Sequence, residues 1–98
     1  MTSKQRSYLK GLAMNMEPIF QIGKSGLTPE ITEAVSQALE ARELIKITLL
    51  KNCLDDGEPL AETLAQRTRS QLVQVIGRKI VLYRPAKDVA KRKIELPR

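Results

Sequence analysis

Histidine and tryptophan are absent from the 98-residue sequence, and cysteine occurs once, at Cys53. Without a second cysteine no internal disulfide forms, and without imidazole a thiolate has no partner to activate it. Cys53 therefore reads as a small apolar residue near a strand end. The missing histidine also removes the commonest metal ligand and the commonest general base at neutral pH. No catalytic residue, metal site or cofactor is expected, and an enzyme is not the first expectation. Aromatic residues are scarce: Tyr8, Phe20 and Tyr83 are all there are. No run approaches the roughly 20 apolar residues of a membrane-spanning helix. The N-terminal stretch MTSKQRSYLKG lacks the apolar region of a secretory signal, so a soluble, cytoplasmic protein without membrane contact is expected.

What the sequence has is positive charge at its ends. The net charge is +6. Residues 1–24 carry +3, residues 25–68 carry −4, and residues 69–98 carry +7. If folding brings both ends to one side, the result is a polarised surface that attracts polyanions, with the acidic side facing away. A solubilising surface and a module docking on acidic protein partners are the alternative readings of the same charges.

The hydrophobic spacing predicts alternating helices and strands. Ser3 is positioned to cap a first helix with Leu9, Leu12, Ala13 and Met16 on one stripe. Pro18 ends it, and residues 19–22 read as a short strand stopping at two glycines. Thr28-Pro29-Glu30 is a helix start, with a hydroxyl cap, proline at the first position and a carboxylate in the positive first turn. That helix runs to about Ala41, burying Ile31, Val35, Ala38 and Leu39 and turning Glu33, Gln37 and Glu40 to solvent. Residues 44–50 form the clearest strand, with Ile45, Ile47 and Leu49 inward. Lys46, on its polar side, either joins a basic face or is merely solvated. A third helix over about 58–68 buries Leu60, Leu64 and Ala65. Strands at 72–76 and 80–84, joined by Gly77-Arg78-Lys79, form an antiparallel hairpin with cations at its tip. The fold class is α/β (α+β): an α-β-α-β-α-β-β chain with a four-stranded mixed sheet and packed helices. One domain over residues 1–85 is expected, followed by a basic C-terminal tail, 86–98, partly flexible and loosely held beyond about residue 88.

The stretch IGKSG, residues 22–26, contains the Gly-Lys-Ser with which a nucleotide-binding P-loop ends. In G-x-x-x-x-G-K-S, however, the first glycine falls on Pro18, which has no amide to donate. The shorter reading is a G-x-x-G turn. Gly23 and Gly26 permit close backbone approach, Lys24 supplies a cation, Ser25 a hydroxyl, and amides opening the next helix face outward, which suits a sugar-phosphate chain.

Five blocks, LKGLA (9–13), Pro18, IGKSGLT (22–28), ALEARELIK (38–46) and VQVIGRKIVLYRP (73–85), resemble the bacterial YhbY proteins of the CRM group, the RNA-splicing and ribosome-maturation domain. The resemblance covers about residues 4–85 in order and spacing. It implies a fold similar to the C-terminal domain of translation initiation factor three and a non-catalytic RNA-binding role. Bacterial members associate with precursors of the large ribosomal subunit, so ribosomal RNA is the implied partner, bound by a monomer on pre-ribosomal particles. Their G-x-x-G loop maps onto Gly23, Lys24, Ser25 and Gly26. Two departures stand out: Met14 stands where relatives usually have histidine, and Arg42 replaces the histidine that often precedes ELIK. Lys4, Arg6, Lys10, Arg78, Lys79 and Arg84 complete the candidate RNA-binding set, with contact mainly to backbone and shape and steep salt dependence.

Overall fold

The computed structural model describes residues 1–98. Its elements are α1 (Ser3–Ala13), β1 (Phe20–Ile22), α2 (Pro29–Arg42), β2 (Leu44–Leu49), α3 (Gly57–Thr68), β3 (Gln71–Ile76), β4 (Lys79–Tyr83) and a 3₁₀ turn at Val89–Lys91. The four strands form one sheet in the order β1-β2-β4-β3. β1 lies parallel to β2, which requires the α2 crossover, whereas β2/β4 and β3/β4 are antiparallel.

The helices occupy both faces. The period of two sends Ile45, Ile47 and Leu49 of β2, with Ile80 and Leu82 of β4, into the larger core under α2 and α3. The alternate residues Leu44, Val81 and Tyr83 meet Leu9 and Ala13 of α1 in a smaller core on the opposite face. β2 and β4 are thus covered on both sides at one end, as their near-continuous apolar sequence requires. Cys53 is buried in the larger cluster as a small apolar group.

α1 starts one residue earlier than Ser3 as a cap would have it. The Thr2 hydroxyl accepts from the Gln5 amide at 3.1 Å, and the Gln5 carboxamide oxygen accepts from the Thr2 amide at 3.1 Å. A reciprocal box needs an acceptor three residues past the cap; Thr2 has Gln5 there, while Ser3 would have Arg6. The helix also ends early, at Ala13, so its buried stripe reduces to Leu9 and Ala13. Leu12 is exposed, and Met16 packs on the small core from outside the helix.

α2 ends on Glu43, which holds φ at +68° and is fully buried. Its carboxylate accepts from the amides of Ala86 (2.8 Å), Lys93 (2.6 Å) and Ile94 (2.9 Å). Glu40, expected to face solvent, instead accepts from the amides of Lys87 and Asp88 at 2.9 to 3.3 Å. Farther along the tail, Ile94 and Leu96 pack on the small core. Gln5 donates to the Pro97 carbonyl and Lys4 to that of Arg98. Two glutamates of α2's end and the start of α1 therefore hold the 86–98 segment against the body.

Candidate functional site

The register puts the G-x-x-G turn, the 50–56 loop and the β3-β4 hairpin tip at one end of the sheet. β1 and β2 finish together, since the Leu50 amide donates to the Ile22 carbonyl at 2.8 Å. The hairpin joins them: the Arg78 carbonyl accepts from Leu49 at 2.7 Å, and the Arg78 guanidinium donates to the Leu50 carbonyl at 3.0 Å. Gly77, at φ +57°, provides the left-handed corner of that two-residue turn.

Within the G-x-x-G turn the Gly26 amide donates to the Gly23 carbonyl at 3.0 Å, leaving the Lys24 and Ser25 side chains exposed at the tip. The glycines serve different needs. Gly26 holds φ +62°, and a Cβ there would lie 2.7 Å from the Asp55 carboxylate. At Gly23 the dihedral is ordinary, but a Cβ would stand 3.1 Å from the Asn52 carboxamide oxygen. The opening of α2 offers less than expected. Thr28 already accepts from the Ile31 amide at 3.1 Å, Pro29 has no amide, and Glu30 adds a negative charge. Nor does the acidic middle of the sequence face away, because Asp55 stands directly against the turn. An open cleft of about 390 Å³ bounded by Ser25, Asp55, Asp56 and Arg67 lies on its α3 side.

Positive charge converges on the other face. Lys10 from the last turn of α1, Lys46 from β2 and Lys79 from β4 line one cleft between α1 and the sheet, with no carboxylate among its walls. Lys46 therefore belongs to the basic face, which the sequence left open. The structure separates the remaining candidates. Arg6 lies one turn from Lys10 on α1, at the i, i+4 spacing that keeps both on one helix face. Lys4, at the far end of α1, hydrogen-bonds the tail carbonyl of Arg98 at 3.0 Å. The basic tail starts at the Tyr83 end of β4, opposite the hairpin tip, so the cationic termini do not gather beside the turn.

Arg84 is a correction. Its side chain is only 12% exposed and lies on the α2/α3 face, donating to the Ser36 hydroxyl (3.0 Å), the Ser36 carbonyl (2.6 Å) and the Thr68 carbonyl (2.7 Å). It forms the one ion pair of the structure, with Glu40 at 4.0 Å. A guanidinium engaged in this way joins α2 to α3 and is not offered to an external phosphate. Its sequence signal, a cation after an alternating strand, is the same as that of a surface arginine.

Two carboxylates titrate abnormally, and both hold the tail. Burial alone would raise the Glu43 pKa, but the amides of Lys93, Ala86 and Ile94, with Arg92 nearby, outweigh it and bring the net value below the ordinary 4.5. Glu40 is also lowered, chiefly by the Lys87 amide. Tyr83 is raised by burial and by the charge of Glu43.

The CRS1 / YhbY (CRM) domain family profile matches residues 1–84. A Bacillus subtilis relative named "Probable RNA-binding protein YqeI" is 46% identical over 99% of both chains. A Haemophilus influenzae protein named "RNA-binding protein" is 34% identical, over all of this chain and 96% of its own. The solution structure of a Staphylococcus aureus protein, 52% identical, matches 99% of both chains with a TM-score of 0.81.

Proposed function

Since the chain belongs to the CRS1/YhbY (CRM) domain family, we propose that it is an RNA-binding protein acting, without catalysis, in assembly of the large ribosomal subunit. The names of the Bacillus and Haemophilus relatives support the RNA-binding part. The observation that carries the mode of contact is the cleft holding Lys10, Lys46 and Lys79 at the same end of the sheet as the hairpin tip and the G-x-x-G turn. Lys24 at the exposed turn, with Arg78 and Lys79 at the hairpin, engages the ribose-phosphate chain. Asp55, against the turn, repels phosphates on the α3 side and so favours a path toward the α1 face. Ribosomal RNA in large-subunit precursors is the proposed partner, met in the cytoplasm by a monomer.

Crosslinking in cells followed by sequencing of the attached RNA tests this directly. Enrichment of large-subunit ribosomal RNA is expected, lost in a Lys24→Ala/Lys79→Ala variant. An even spread over messenger and transfer RNA would reject the ribosomal assignment, and absence of crosslinked RNA would reject RNA binding itself.

A further inference from the structure

α1 is too short to cover its face of the sheet. It shields the cross-strand row of Leu44 and Tyr83, then stops at Ala13. In the next two rows, Lys46-Val81-Gln74 and Thr48-Lys79-Ile76, only Val81 is still packed against α1. Lys46, Val81, Gln74, Lys79 and Ile76 from these rows form the floor of a cleft of about 370 Å³ whose wall is the last turn of α1. That size falls within the roughly 300–1,000 Å³ of ligand clefts.

The chemistry of the cleft is mixed in a particular way. Met14 and Ile76, 77% and 60% exposed, present a thioether and a branched alkyl chain to solvent beside the buried Val81. Both line the same cleft, so their exposed apolar surface is shared by one concavity. Around them stand the amines of Lys10, Lys46 and Lys79, and the structure's one ion pair lies on the opposite face. An occupant that matches is apolar in its middle and anionic at its edges. A nucleotide has that form.

We propose that this cleft seats one unpaired RNA base, its face against Met14 and Ile76 and its flanking phosphates held by Lys10, Lys46 and Lys79. Gln74, on the central row, has both a donor and an acceptor for a base edge, the pairing that suits adenine. The base must be unstacked, because a duplex hides its faces. The aliphatic and thioether floor takes the part that aromatic rings play in single-strand binders, in a chain that has few of them. This inference rests on the RNA-binding function proposed above and adds to backbone contact a subsite for a base.

The test compares two probes of equal length and charge, a single-stranded oligoadenylate and its abasic ribose-phosphate counterpart. They are titrated against the full chain and against Met14→Gln/Ile76→Thr, whose fold is checked by circular dichroism. The double variant is expected to bind oligoadenylate about tenfold more weakly, with little change toward the abasic chain. Lys46→Ala weakens both. In the wild type the Met14 methyl resonance moves upfield with oligoadenylate, through the ring current of a base lying against it, and stays in place with the abasic chain. Equal losses on both probes, or unchanged affinity with a stationary methyl, overturn the base seat while leaving RNA binding intact. A polyglutamate peptide that displaces the RNA and shifts the methyl equally would assign the cleft to an acidic protein partner instead. Failure of the wild type to bind either probe would overturn the base seat, whereas absence of crosslinked RNA in cells would overturn the function on which it rests.

Discussion

Glu43 carries three amide hydrogen bonds on one buried carboxylate while its backbone stays left-handed. Glutamine there keeps one oxygen and turns an amide donor toward other donors. Glu43→Gln is therefore expected to cost about 2–3 kcal/mol in chemical denaturation, through amides left without acceptors. Protonation acts in the same direction. Because the folded-state pKa lies below the ordinary 4.5, the carboxylate's contribution is fully present above that value and is lost as pH falls through the lowered one. The protection factors of the Lys93 and Ile94 amides, taken relative to the intrinsic exchange rate at each pH, are accordingly expected to fall below about pH 4.5, before those of β2 do. Arg84 gives a second prediction at this scale. Lysine cannot reproduce a fork reaching both Ser36 and Thr68, so Arg84→Lys should lower stability by about 2 kcal/mol and leave RNA affinity of the folded protein unchanged. A fall in affinity at constant stability would return Arg84 to the binding set.

Among the elements, those with a complete local signal were legible. Thr28-Pro29-Glu30 opens α2 where its capping chemistry requires, and the alternation of residues 44–49 gives β2 its inward face. The start of α1 was displaced by one residue because Thr2 and Ser3 are equally good hydroxyl caps and only Gln5 distinguishes them. The G-x-x-G turn shows what spacing leaves out. Two glycines in sequence look alike, yet only Gly26 is left-handed, and the nearness of Asp55 is a contact between loops far apart in the chain. The turn's two kinds of residue can be told apart by mutation. Lys24→Ala should weaken RNA binding about threefold to tenfold with unchanged stability. Gly26→Ala should reduce stability by about 1–2 kcal/mol, from the strained dihedral and the crowding of Asp55. Comparable melting curves for the two variants would contradict this division.

For the whole molecule the decisive quantity is where the charge goes. A net charge of +6 with basic ends predicts attraction to polyanions and nothing about geometry. The structure places Lys24, Arg78, Lys79, Lys46 and Lys10 toward one end and sends the tail cations to the other. About five phosphate contacts follow from that first group, and log affinity for single-stranded RNA should fall against log salt with a slope of about −3.5. A slope near −1 would mean that the group does not act together. Removing residues 86–98 should steepen thermal unfolding losses more than it alters this slope, since the segment closes the small core through Ile94 and Leu96.

The sequence by itself determined the succession of helices and strands, the hairpin, the family and the sign of the surface, because each rests on propensities, capping and charges that are local or simply additive. Tertiary structure alone decided that Arg84 is internal, that two glutamates hold the tail, that Asp55 stands against the glycine turn and that Lys46 shares a cleft with Met14 and Ile76. Each of these is a meeting between segments distant along the chain. Such meetings are fixed by strand register and helix length, and a side chain's identity does not record which neighbour the fold will bring to it.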